Sequence, residues 1–185
     1  MYLALQFLAL FVVLAFCMSL LEHQVHRRLM HRKTFLGKRF DFLKRAFEHH
    51  AVLHHGHYFK VFHDEPVPKG EDRGLRLNMG EGFVEALPVS LLIATFSYMG
   101  AILFPFVVCG HHYIWNQIHL EMHKPEGRYF SKWRIYKFLA RHHYLHHRYP
   151  DRNFNVVLPI ADYALSTNAR ATEADKEGMR AVGIL

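Results

Sequence analysis

The chain lacks the cysteine patterns that identify several classes of protein. Its 185 residues include two cysteines, Cys17 and Cys109, which lie in apolar stretches and form no Cys-x-x-Cys pair. This excludes a disulfide framework and a cysteine-ligated cluster, so we predict two free thiols. There is no internal repeat, and the length suits one domain rather than two. A single domain over 1–185 is therefore predicted.

Charge is missing from two long stretches, 2–21 and 86–120. About 20 apolar residues in a helix cross a bilayer. The second stretch is longer than one span, and Gly100 divides it. We predict spans at about 2–21, 84–99 and 101–120, the last two forming a helical hairpin. A signal peptide is the alternative for the first stretch, but no Lys or Arg precedes it, which favours a retained span.

The net charge of +7 raises the possibility of a nucleic-acid partner. The basic residues crowd the segments beside the apolar stretches, however, as the positive-inside rule expects of a membrane protein. We therefore predict an all-α integral membrane protein with no nucleic-acid partner. The basic region from Arg27 to Arg76 would lie in the cytoplasm as a helical cap, with a loop at Pro66, Pro68, Gly70 and Gly74, and with a polar tail over 168–185.

Histidine is the anomaly of the composition. The chain has 17 histidines, roughly four times the usual share. Residues four apart lie on one helix face, close enough for two imidazoles to reach one metal ion. Pairs at this spacing are His50 with His54, His119 with His123, His142 with His146, and His143 with His147. His26 and His31 are five apart and would need a distorted turn.

The number of paired imidazoles exceeds what one ion needs, since roughly four to six donors saturate a first-row metal. Two ions are therefore predicted, and imidazole alone suits Zn, Fe, Cu or Ni. The histidines outside the pairs remain open: His23, His49 and His57 are candidate ligands, whereas His63, His111 and His112 are expected to be ordinary surface or core residues.

The motifs resemble the fatty acid hydroxylase superfamily, which includes sterol desaturases and, more distantly, carotenoid hydroxylases. The resemblance runs from about His26 to Thr167. Its segments are His26-Arg-Arg-Leu-Met-His31, His50-Ala-Val-Leu-His54-His55, His119-Leu-Glu-Met-His123, His142-His143-Tyr-Leu-His146-His147 and the run from Asn153 to Thr167. Three departures from the family pattern indicate a divergent branch: three residues before the second His pair, Asn155 in place of glycine, and Ser166 in place of glycine.

The resemblance implies O2-dependent hydroxylation or desaturation of a lipid by two iron ions, with zinc possible in a purified sample. An external soluble or membrane protein would supply the electrons. The implied ligands are His26, His31, His50, His54, His55, His119, His123, His142, His143, His146 and His147. Asn153 and Asp162 would orient them from behind.

Other side chains have two interpretations each. Glu22, Glu48 and Glu121 could orient ligands or be solvated charges, and Phe106, Tyr113 and Trp115 could line a lipid groove or simply pack. A non-catalytic membrane metal carrier or sensor is the alternative function. It would need histidines or carboxylates within the spans, and the hairpin shows only Ser90, Thr95, Ser97 and Tyr98 before His111.

Overall fold

The computed structural model describes residues 2–65 and 75–185, and it is helical with no strand in those ranges. The loop predicted at Pro66, Pro68, Gly70 and Gly74 lies outside them. The helices are α1 (Tyr2–Val25), α2 (Phe35–Arg39), α3 (Asp41–Phe47), α4 (His55–Tyr58), α5 (Met79–Ala94), α6 (Tyr98–His123), α7 (Arg134–Arg148), α8 (Ile160–Ala164) and α9 (Glu173–Ala181). The same ranges contain two π-helical segments, His26–Met30 and Glu48–His54, and one 3₁₀ turn, Tyr129–Lys132.

Helix α1 continues directly into the first π-helical segment. The combined helix, Ala4–Met30, is the one helix among the described residues that is long and apolar enough to cross a membrane, and only 17% of its most apolar 18 residues are buried. Its buried side packs on the hairpin, where Leu14 and Met18 meet Ala86, Phe104 and Val108.

Helices α5 and α6 form the predicted hairpin, but the turn lies earlier than Gly100. Ser97 begins α6 because its side chain accepts the N–H of Gly100 at 3.0 Å, a helix-capping contact. Gly100 thus lies in the first turn of α6. Helix α5 has 16 residues, roughly 24 Å at 1.5 Å per residue, which is short of the hydrocarbon core of roughly 30 Å.

The C-terminal residues 168–185 are folded, although the sequence suggested a polar tail. Thr172 caps α9 by accepting the N–H of Asp175 at 3.2 Å. Met179 and Ile184 are buried in the core that α6 and α7 share with the segment 153–158. These two apolar residues attach the tail, because burying each removes its side chain from water.

Candidate metal centre

Nine of the histidines proposed as ligands converge in two buried groups. In each group the nearest ring nitrogens all lie within 4.8 Å of one another. The first group contains His26, His31, His50, His55 and His146, and the second contains His54, His119, His123 and His143. The groups adjoin, since the rings of His50 and His54 stack 5.1 Å apart. The structure therefore provides two neighbouring sites that could each hold a metal ion.

The π-helical segments explain how histidines five apart share a site. In a π-helix the backbone bond runs from residue i+5 to residue i, and the N–H of His31 donates to the carbonyl of His26 at 3.1 Å. The second π-helical segment does the same for His50 and His55, whose Nε2 atoms lie 3.2 Å apart. The extra residue in each turn brings both rings to one face.

The π-helical segments also change the pairing of histidines that a regular helix would give. His50 and His54, predicted to share an ion, belong to different groups. His119 and His123 do share the second group. His147 also reaches that group, because its Nε2 atom lies 3.0 Å from that of His143 and 3.2 Å from that of His54.

The spacing of the Nε2 atoms matches cis ligands on one ion. Within the first group, His50 Nε2 lies 2.7 Å from His26 Nε2, 3.2 Å from His31 Nε2 and 3.2 Å from His55 Nε2. Two nitrogens roughly 2.1 Å from an ion and at right angles are about 3 Å apart. A ring nitrogen offers one in-plane proton or lone pair, so His50 cannot form three hydrogen bonds here. A shared cation would account for all three contacts.

Backbone carbonyls orient several of these rings from behind. The Nδ1 atom of His123 lies 3.0 Å from the Phe62 carbonyl, and that of His119 lies 3.1 Å from the Leu75 carbonyl. In the first group, His146 Nδ1 lies 2.6 Å from the Arg152 carbonyl, and His26 Nδ1 binds the Phe154 carbonyl. An Nδ1–H donor leaves a lone pair on Nε2, which is the form that binds metal.

Burial keeps the imidazoles neutral. It lowers the pKa of His143 and that of His146 well below the usual value, because the charged ring loses its hydration. The pKa of the half-buried His31 falls to about 4 for the same reason. Neutral imidazole is the ligand form at neutral pH. The donor set contains no thiolate or carboxylate, so it fits Fe, Zn, Cu or Ni.

His142 is the proposed ligand that joins neither group. Its Nε2 atom lies 3.0 Å from Oδ2 of Asp162, whose carboxylate also accepts the N–H groups of Phe154 at 2.9 Å and Asn155 at 2.7 Å. Successive residues of a helix point about 100° apart, so the neighbouring His143 faces the second group while His142 faces away. Asp162 therefore acts on the segment 153–155 and on α7, with no direct bond to a ring of either group.

Asn153 and Asn155 hold the chain after α7 in place. Asn153 has a positive φ of 55° and donates from Nδ2 to the carbonyl of His142 at 2.8 Å. Asn155 donates from Nδ2 to Glu22 at 2.9 Å and to the Ser19 carbonyl at 2.8 Å. The role of Asn155 was not foreseen, and its only signal was that it departs from the family pattern.

The remaining histidines lie outside both groups. The Nε2 atom of His23 lies 3.0 Å from Thr167 Oγ1, and that of His57 lies 3.1 Å from Asp64 Oδ2. His49 is exposed. His111 Nε2 lies 3.3 Å from Glu22 Oε2, and His112 Nδ1 lies 2.9 Å from the Val108 carbonyl. His63 is partly buried.

The carboxylates and aromatic residues proposed around the site have varied roles. Glu121 is buried and accepts the N–H groups of 126–128, so it holds the turn after α6, while Glu48 is exposed. Trp115 stacks on His119 at 4.0 Å and covers the second group. Phe106 and Tyr113 are exposed.

Comparisons with protein-family models, curated proteins and solved structures find no match for the chain. The resemblance therefore depends on the sequence motifs alone.

Proposed function

We propose that the chain is a membrane lipid oxygenase that holds two iron ions and hydroxylates or desaturates a lipid. The observation that supports this most directly is the convergence of Nε2 atoms at 2.7–3.2 Å in two adjoining groups. Two close ions with all-imidazole ligands are what the histidine motifs of the fatty acid hydroxylase superfamily would provide. The first group would hold one ion and the second, with His147, the other.

Iron supplies, when bound, the reduction of O2 that breaking an unactivated C–H bond requires. The protein supplies the surroundings for that chemistry. The second group is closed to water, since His119, His123 and His143 are at most 1% exposed. The first group is more open, because His31 is only partly buried. Access for O2 and a lipid chain would thus be on the side of His31.

The exposed apolar surface supports the proposal that the substrate enters from the bilayer. Leu8, Phe11 and Val12 of α1 are 58–60% exposed, and Phe96 at the hairpin turn is 86% exposed. Exposed apolar surface of this extent is costly in water and is typical of contact with a membrane or another protein. We place both histidine groups on the cytoplasmic side, where the basic residues lie.

Electrons would come from a separate soluble or membrane protein, because the chain has no cysteine pair that could ligate a cluster. The surplus of basic residues, with a formal charge of +7, suits an acidic electron-transfer partner.

The test compares His50→Ala with His49→Ala in the full chain. His50 is 6% exposed at the centre of the first group, whereas its neighbour His49 is exposed. We expect two iron ions per wild-type chain and a loss of at least one in His50→Ala, with His49→Ala unchanged. Metal content is measured on the purified protein.

Activity is then measured by mass spectrometry of lipids from an expressing host, with O2 uptake by the ferrous protein in the presence of a reductant. Products one oxygen atom heavier indicate hydroxylation, and products two hydrogens lighter indicate desaturation. Two bound ions without O2 uptake on any host lipid would contradict the oxygenase and support a metal carrier.

A further inference from the structure

A cavity of about 510 Å³ lies beside the first histidine group, with His31 in its wall. Three arginines line it: Arg27 at the end of the long apolar helix, Arg32 just beyond it, and Arg152 after α7. Thr167 also lines it, with its hydroxyl donating to Asp162 Oδ1 at 2.6 Å. The cavity thus combines several hydrogen-bond donors with direct contact to a proposed metal ligand.

The charge in this wall is not balanced by the protein. Asp151 is the one acidic residue that lines the cavity among the described residues, and its side chain is 84% exposed and 3.8 Å from Arg152 Nε. The Arg27 guanidinium lies over the Phe154 ring at 5.7 Å, a contact that leaves its charge uncompensated. Three guanidinium groups against one carboxylate leave two positive charges.

We propose that this cavity binds the phosphate monoester headgroup of a lipid, and that such a lipid is the substrate of the proposed oxygenase. A phosphate monoester carries about −1.5 to −2 charges at pH 7 and three acceptor oxygens, which matches the surplus of two positive charges. The planar guanidinium group donates two parallel hydrogen bonds to phosphate. The substrate assignment depends on the proposed function, whereas the binding site itself does not.

The surroundings favour a lipid over free phosphate. Helix α8 lies against α1 at the end of the apolar run, where the Ser19 hydroxyl donates to the Leu158 carbonyl at 2.6 Å and accepts the Ala161 N–H at 3.1 Å. Leu165 lines the cavity and is 45% exposed, and Tyr163 is 53% exposed. Apolar surface beside an anion site suits acyl chains, and free phosphate gains nothing from it.

The experiment measures binding to the purified full chain in detergent by native mass spectrometry. The probes are dioctanoyl phosphatidic acid, dioctanoyl glycerol, which has the same chains and no phosphate, and inorganic phosphate. The variant is R32Q/R152Q, and the matched control is R134Q/R180Q, which removes the same charge from exposed arginines outside the cavity.

We expect phosphatidic acid to bind the wild type at least tenfold more tightly than either other probe. Binding should weaken at least tenfold in R32Q/R152Q and stay unchanged in R134Q/R180Q. If the double variant does not fold, the single variant R32Q is expected to weaken binding at least threefold.

Three results would overturn the site: equal weakening in R134Q/R180Q, dioctanoyl glycerol binding as tightly as phosphatidic acid, or inorganic phosphate binding as tightly as the lipid. The measurement needs no turnover. Tight, arginine-dependent binding in a chain that binds no iron would contradict the proposed function and leave the headgroup site supported.

Discussion

The imidazole of His142 donates from Nε2 to Oδ2 of Asp162 across 3.0 Å, and Asp162 has no exposure to solvent. The same carboxylate accepts the Thr167 hydroxyl at 2.6 Å and two backbone N–H groups. These bonds to the charged form lower the pKa of Asp162 despite its burial. Asp162 thereby ties α7 to the segment whose Phe154 carbonyl orients His26.

Asp162→Asn should destabilise the protein by about 2–3 kcal/mol, because the amide NH2 group faces donors and leaves at least one of them unpaired. Urea unfolding in detergent measures the change. Asp151→Asn is the control, since that side chain is 84% exposed and should change little. Equal stability of the two variants would remove Asp162 from the framework of the site.

Adjacent histidines of α7 should respond differently to replacement. His143→Ala should lose the ion of the second group, because His143 Nε2 lies 3.0 Å from both His123 Nε2 and His147 Nε2. His142→Ala should keep both ions and lose stability instead. Metal analysis of the two purified variants, with iron supplied in excess, measures the difference. Loss of metal in both would mean that His142 is a ligand after all.

The residues of the site could be read from the sequence better than their pairing could. The histidine clusters identify the candidate ligands. Pairing them at a spacing of four assumes a regular helix, however, and the segment that contains His50 is a π-helix. Its extra residue pairs His50 with His55 and sends His54 to the other group. The carbonyls of Phe62, Leu75 and Arg152 that orient the rings leave no trace in a sequence, since every residue has one.

Inserting an alanine after Val52 tests the π-helical turn directly. Val52 is 52% exposed within the segment Glu48–His54, so its side chain matters little, but an added residue puts His50 and His55 six apart and turns the following rings by about 100°. We expect the insertion variant to lose iron from the first group or both. Val52→Ala should keep both ions. An insertion variant with full metal content would show that the turn is dispensable.

Acid should destabilise the metal-free protein below pH 6.5. Burial lowers the pKa of His31 to about 4 and that of His55 to about 2, from an ordinary value of 6.5. Folded values below the unfolded one mean that the unfolded chain binds more protons. Stability is therefore complete above pH 6.5 and is lost as the pH falls toward these values, by about 1.4 kcal/mol per pH unit for each imidazole.

Thermal unfolding of the metal-free chain between pH 4 and pH 8 measures this loss. His55→Gln should reduce the slope between pH 6.5 and 4, whereas the exposed His49→Gln should not. A melting temperature independent of pH below 6.5 would show that the rings are not buried as neutral groups.

The long apolar helix should anchor the chain in a membrane. Leu8 and Phe11 are 60% and 58% exposed within the predicted span 2–21. Replacing both with arginine costs roughly 5–7 kcal/mol at a span's centre, so L8R/F11R should release protein from carbonate-washed membranes. L8A/F11A is the control and should remain. The intact mass should include these residues, because Leu14 and Met18 of the same helix pack on Ala86, Phe104 and Val108; a chain shortened before Glu22 would indicate a signal peptide.

The boundaries of the hairpin and of the helices show which features of the fold could be predicted from the sequence. Apolar runs in α1 and α5–α6 predicted helices, and they are helices. We predicted the turn at Gly100 because this residue divides the apolar stretch, yet a serine cap three residues earlier begins α6. The polar composition of 168–185 hid two buried side chains, Met179 and Ile184, since composition does not reveal which few apolar residues meet a core.

Helix α7 contributes His146 to the first group and His143 to the second. One helix therefore carries a ligand of each site, and a rotation of this helix would move rings away from both sites together. A metal ion bound in one site should hold α7 in place and so position the ligand that α7 contributes to the other site. Metal uptake should therefore be cooperative, with singly loaded chains scarce at half-saturation.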